Sequence, residues 1–94
     1  MSHVLIRHKV NDFAAWKEAF ENFGSVRKNG GEKSFQVLRH DEESNNLYIM
    51  FEWDSTENAR KFLDSEELKS AMMAAGVSEA PEINFLSEAL KGTV

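Results

Sequence analysis

The stretch Leu47-Tyr48-Ile49-Met50-Phe51-Glu52-Trp53 constrains the fold of this chain more than any other. In an extended strand successive side chains point to opposite faces, so Leu47, Ile49, Phe51 and Trp53 share one face and Tyr48, Met50 and Glu52 the other. A strand with one wet face is apolar on alternate residues only. Here both faces are largely apolar, which predicts a central strand covered on both sides. Ahead of it, Ser34 to His40 reads as a second strand, with Phe35 and Val37 on one face and Gln36, Leu38 and His40 on the other. The polar run Asp41 to Asn46 joins the two as a hairpin-type connection.

The rest of the chain falls into place around this hairpin. His3 to Val10 alternates as a strand, with Val4, Ile6, His8 and Val10 opposite Leu5, Arg7 and Lys9. Asn11 or Asp12 offers a side-chain oxygen to cap a helix. Phe13, Trp16, Phe20, Phe23 and Arg27 then recur at helical spacing, and Asn29-Gly30-Gly31 ends that helix. After the hairpin, Asp54-Ser55-Thr56-Glu57 has capping-box spacing, and Ala59, Phe62 and Leu63 face inward on the helix it starts. Asp64-Ser65-Glu66-Glu67 is a second start signal, continued by Leu68, Ala71, Met72 and Ala75 up to Gly76. Glu82 to Leu90 alternates as a last strand. The predicted order is βαββαβ with the second helix split in two. That is the ferredoxin-like α+β arrangement around a four-stranded antiparallel sheet, expected as one domain over residues 1–94.

Helices on one side of such a sheet leave its other face open, and that face holds Leu5, Leu38, Tyr48, Met50 and Leu86. An apolar surface of that extent on a lone subunit invites association. A chain of 94 residues also buries only roughly 60–65% of the surface its unfolded form exposes. With no cysteine, neither a disulfide nor a thiolate metal site makes up the difference. A homodimer packed through the open sheet faces is therefore expected. The formal net charge of −5 and the scattered cations argue against a nucleic-acid partner. No apolar run approaches the roughly 20 residues that cross a bilayer, and no secretory leader is read, so a cytoplasmic location is expected.

The strand Val4-Leu5-Ile6-Arg7-His8-Lys9-Val10, the strand end Phe51-Glu52-Trp53-Asp54-Ser55 and the helix start Ser65-Glu66-Glu67-Leu68 carry a resemblance. From His3 to about Leu90 the chain resembles the dimeric α/β-barrel proteins, which include antibiotic-biosynthesis monooxygenase-like proteins, haem-degrading monooxygenases and stress-responsive barrel proteins. The resemblance implies a homodimeric barrel with a pocket between helices and sheet in each subunit. It also marks two departures. Haem-degrading members place a histidine ligand where Met72 stands and a tryptophan near Phe62, so no haem is expected. Cyclase-like members use a first-strand histidine, which His3 matches, and a second histidine in the later helix, which this chain lacks.

For the pocket so placed, the candidate lining is Trp16, Phe20, Phe23, Phe51, Phe62 and Met72, and the candidate catalytic residue is His8. His8 lies on the strand face that meets the aromatic stripe, where an imidazole can bind or polarise a ligand carbonyl. The alternative for His8 is a buried histidine bonded to a neighbour, and for the stripe, plain core packing. Against plain packing stands the supply of 7 phenylalanines, 2 tryptophans and 4 methionines in a small chain. His3 and His40 fall on other elements, and no cluster with metal-ligand spacing is present. Arg7 and Arg39 are strand residues expected to face the dimer interior, where either can pair with Glu52 across the sheet or hold an anionic ligand group. Three functions stay open: a cofactor-independent monooxygenase or cyclase-like enzyme, a carrier of a fatty-acid-like metabolite, and a structural dimer module. No cofactor is called for.

Overall fold

The computed structural model describes residues 2–77 and 80–94. Its sheet has four antiparallel strands: β1 (Ser2–Lys9), β2 (Glu32–Arg39), β3 (Asn46–Trp53) and β4 (Glu82–Leu86), in the spatial order β2-β3-β1-β4. This is the ferredoxin-like arrangement, with the hairpin partner β3 and the first strand at the centre. Four helices accompany it: α1 (Phe13–Asn22), α2 (Gly24–Gly30), α3 (Thr56–Leu63) and α4 (Glu66–Ala74). The core forms where helices meet one sheet face. Val4, Leu47, Ile49 and Trp53 are its largest fully buried side chains, joined by Ile6, Phe51, Trp16 and Ala59.

Several boundaries differ from the sequence reading. The first helix is two, because Phe23 takes bridge-region angles (φ −88°, ψ 0°) ahead of Gly24, a poor helix former. The stripe survives the break, since Trp16 and Arg27 are both buried. Strand β4 stops at Leu86, and Val10 sits past the end of β1 in an isolated bridge to Val77. The cap of α3 is Ser55, whose hydroxyl accepts the Asn58 N–H at 3.1 Å, while Asp54 holds the Asn58 side-chain amide. Ser65 caps α4 as expected, accepting from Leu68 N–H at 3.2 Å and donating to the Phe62 carbonyl at 2.7 Å.

One irregularity shapes the interior. The β2–β3 register shifts between Glu32 and Ser34, so an extra residue, Lys33, is taken up in a bulge. Strict alternation from Phe35 and Val37 would turn Lys33 toward the helices. The bulge instead sets Glu32 opposite Trp53, on the helix side, and re-aims its carboxylate inward. Among the described residues no helix covers the other sheet face. There Leu5, Tyr48 and Met50 are half-buried, and Leu38 and Leu86 are exposed. Strand β3 is central, as its pattern requires, but within one chain only its inner face is covered.

Candidate functional site

The helices do not close completely onto the sheet. Between them lies a cavity of about 720 Å³, walled by β1, β3, α1, α2, α3 and α4. Its lining is mostly apolar, as ligand sites of this size are. Trp16, Phe20, Phe23, Phe51, Phe62 and Met72, the side chains picked out by pattern, all lie on this wall, and so does His8. Phe13 does not. It packs at the outer end of the stripe, under the Arg39 guanidinium at 4.2 Å.

The wall is built as a run of touching rings. Trp16 and Phe20 stack at 4.8 Å, Phe20 meets Phe51 at 6.1 Å, and Phe62 contacts both Phe23 (5.7 Å) and Trp53 (5.3 Å). Such offset and tilted contacts keep the rings rigid and their faces available. On the α4 side the wall is looser. No residue of α4 is buried, and Met72 presents a flexible thioether there.

His8 lies in β1 opposite Leu47, its ring edge-on to Trp16 at 5.7 Å and 84°. The residue is 7% exposed, and neither Nδ1 nor Nε2 has a hydrogen-bond partner among the described residues. Burial disfavours the imidazolium and pushes the pKa down from 6.5 to about 4. At neutral pH the ring is uncharged, with one N–H donor and one acceptor nitrogen. Most buried polar atoms have a partner, so an imidazole with both nitrogens unmatched stands out. The other histidines do different work. His40 Nδ1 accepts the N–H groups of Glu42 and Glu43, both at 3.2 Å, and so organises the β2–β3 turn. His3 is on β1 opposite Glu52, half-buried and away from the cavity lining.

A residue read as part of the helical stripe proves to be charged and interior. Arg27 is 4% exposed and forms part of the cavity wall. Its Nε donates to Glu32 Oε1 at 2.8 Å, its Nη1 to the Phe20 carbonyl at 2.5 Å, and its guanidinium lies 3.7 Å above the Phe20 ring. Burial pushes the Arg27 pKa down and the Glu32 pKa up, each partly offset by its partner. The helical spacing carried the signal that Arg27 points inward. Its partner was invisible, because the bulge at Lys33 is what brings Glu32 there. Arg7 and Arg39 also correct the expectation of pairing with Glu52. Arg7 Nε bonds Glu82 at 3.0 Å, while Arg39 lies on the helix side and donates to the Ser44 carbonyl. Among the described residues no group of three or more His, Cys, Asp or Glu is placed to hold a metal ion.

A four-stranded ferredoxin-like sheet with its helices over one face defines a structural class, and solved structures share that fold. A protein from Bordetella bronchiseptica assigned as an antibiotic biosynthesis monooxygenase superposes with a TM-score of 0.81, over 95% of this chain and 97% of that one, at 13% identity. SnoaB, a cofactor-independent oxygenase from Streptomyces nogalater, gives 0.78 over 96% and 94%, at 15% identity. A further protein so assigned, from Caulobacter crescentus CB15, gives 0.74 over 95% and 90%, at 20% identity. No family model and no curated protein sequence matches the chain. The fold is therefore that of the antibiotic-biosynthesis monooxygenase-like proteins, as the strand and helix-start motifs implied.

Proposed function

We propose that this chain is a single-domain, homodimeric barrel protein that binds a flat, mostly apolar molecule in the helix–sheet cavity and oxygenates it without a cofactor. The observation that carries this reading is the buried His8 imidazole in the wall of a ring-lined cavity, with neither nitrogen hydrogen-bonded among the described residues. The fold shared with SnoaB, itself a cofactor-independent oxygenase, supports the choice of chemistry; fold alone is compatible with many activities.

The reaction asks little of the protein beyond a dry, oriented site and one proton acceptor. A substrate CH2 activated by an adjacent carbonyl or aromatic system gives a proton to His8 and becomes a carbanion. Dioxygen adds to that carbon and yields a hydroperoxide, using the proton held on His8. Loss of water then leaves a carbonyl, so that CH2 and O2 become C=O and H2O. The aromatic wall keeps the carbanion flat and away from bulk water. Because both His8 nitrogens are shielded in the closed geometry, the ring turns on χ1 or χ2 to reach its substrate.

The second copy is proposed to cover the open sheet face, where Leu5, Leu38, Tyr48, Met50 and Leu86 meet their counterparts. Light scattering then gives a mass near twice the 10.7 kDa of one chain. For the chemistry, anthrone serves as a probe because it is a flat tricycle with one activated CH2. Oxygen-electrode traces should show uptake well above buffer with the wild type, and background uptake with His8→Ala. Turnover by His8→Ala equal to wild type would remove His8 from the mechanism.

A further inference from the structure

Arg27 is the only arginine or lysine that is buried among the described residues, and it lies on the cavity wall rather than in the packed core. A buried ion pair does little for net stability, since desolvating both groups consumes most of their attraction. The pair with Glu32 uses Nε, and the Phe20 carbonyl uses one hydrogen of Nη1. Nη2 has no hydrogen-bond partner among the described residues. The Phe20 ring and the Glu32 carboxylate clamp the guanidinium plane in place. A guanidinium held flat on the wall of an apolar cavity, with one amino group unpartnered among the described residues, is suited to a carboxylate or another oxyanion, which it binds in a charge-assisted, two-point manner.

We infer that Arg27 is the anchor for an anionic group on the ligand, so that the cavity takes flat apolar molecules bearing a carboxylate or an acidic oxygen at one end. This rests on the proposed reading of the cavity as a ligand site and adds the class of molecule that fits it. Arg27 and His8 are joined by consecutive ring contacts: Arg27 on Phe20, Phe20 on Trp16, and Trp16 on His8. A ligand that lies along this run places its anion on Arg27 and its reacting carbon toward the neutral imidazole. The polarity follows from charge, because Arg27 offers an anion a charge-assisted donor whereas an uncharged histidine offers only a neutral N–H. Lys69 also reaches the cavity wall, but its side chain is 60% exposed and its ammonium lies 3.8 Å from Glu66, where water screens it.

The test compares two probes that share one flat tricycle and carry either an anionic or a neutral substituent, 9-anthracenecarboxylate and 9-anthracenemethanol, titrated by fluorescence into the full chain at pH 7.5. Wild type should bind the carboxylate roughly tenfold or more tightly than the alcohol, the margin expected of a charge-assisted anchor. In the paired variant Arg27→Met with Glu32→Met, which removes both charges at nearly constant volume, the preference should fall to about twofold or less with alcohol binding retained. Lys69→Met should keep the wild-type preference. If wild type binds both probes equally, or if the paired variant keeps the preference, the Arg27 assignment is overturned while the cavity reading stands. If neither probe binds wild type, both fall. Should the paired variant fail to fold, Arg27→Lys replaces it: a preference lowered severalfold supports the two-point anchor, and an unchanged one overturns it.

Discussion

Acid should weaken this protein through His8, by an amount that follows from the burial of the ring. The folded-state pKa is near 4 and the unfolded value is 6.5, so between these the unfolded chain binds the proton that the folded chain refuses. Stability then rises with pH across that window, because the unfolded state carries more protons. The contribution is complete above about pH 6.5 and is lost as pH falls toward 4. For the gap given by burial, the loss between pH 8 and pH 4.5 is about 2–3 kcal/mol. His8→Met removes the titration while filling a similar volume. Urea unfolding at constant protein concentration, followed by the fluorescence of the buried Trp16 and Trp53, measures both proteins at both pH values. Carboxylates titrate in each, including Glu32, so the quantity that matters is the difference between the two pH profiles. Wild type should lose about 2–3 kcal/mol more than His8→Met. At pH 8 the variant should equal or exceed wild type, because it no longer buries two unmatched nitrogens. Parallel profiles would refute the reasoning, since they would mean that His8 is solvated or paired in solution.

Other substitutions probe the elements that hold the cavity open. Arg27→Ala strands the Glu32 carboxylate in the interior and should cost about 3–5 kcal/mol in urea unfolding, whereas the paired methionine variant should be near neutral. Gly31→Ala places a methyl group at φ +122°, against the Asp54 carboxylate, and should cost about 2 kcal/mol or more by the same measurement. Ser65→Ala removes the cap of α4 and should cost about 1 kcal/mol. Hydrogen exchange should then quicken in α4 and stay slow in β1 and β3. Equal exchange in α4 of the two proteins would show that the cap does not hold that wall.

Much of the site was legible because its residues obey simple periods. Val4, Ile6 and His8 alternate, so one face of β1 could be named before any contact was known. Trp16, Phe20, Phe23 and Arg27 repeat at helical spacing, and they stay on one side even though the helix breaks at Phe23. The break itself was not legible, because a lone glycine after an aromatic residue lowers helix propensity without forcing an end. Strand β4 was overextended for a related reason. Ser87 to Leu90 continue the alternation, but no strand among the described residues pairs with them, and pairing rather than pattern ends a strand. Arg39 was misplaced because its expected pairing with Glu52 ignored strand parity, which puts it on the side of Phe35 and Val37.

The central strand that opens the sequence reading shows where that reading stops. Leu47 to Trp53 determined by themselves that this chain builds a sheet with two apolar faces, because a side-chain period of two and seven largely apolar residues allow little else. Local pattern likewise determined which helix and strand faces turn inward, and that His8 lies on one of those strand faces. Only the tertiary structure decided that the helices stop short of filling the space, that His8 meets no partner there, and that the Lys33 bulge turns Glu32 toward Arg27. Each of these depends on distances between elements far apart in the chain. A period can say which way a side chain points, but what it meets is decided by packing.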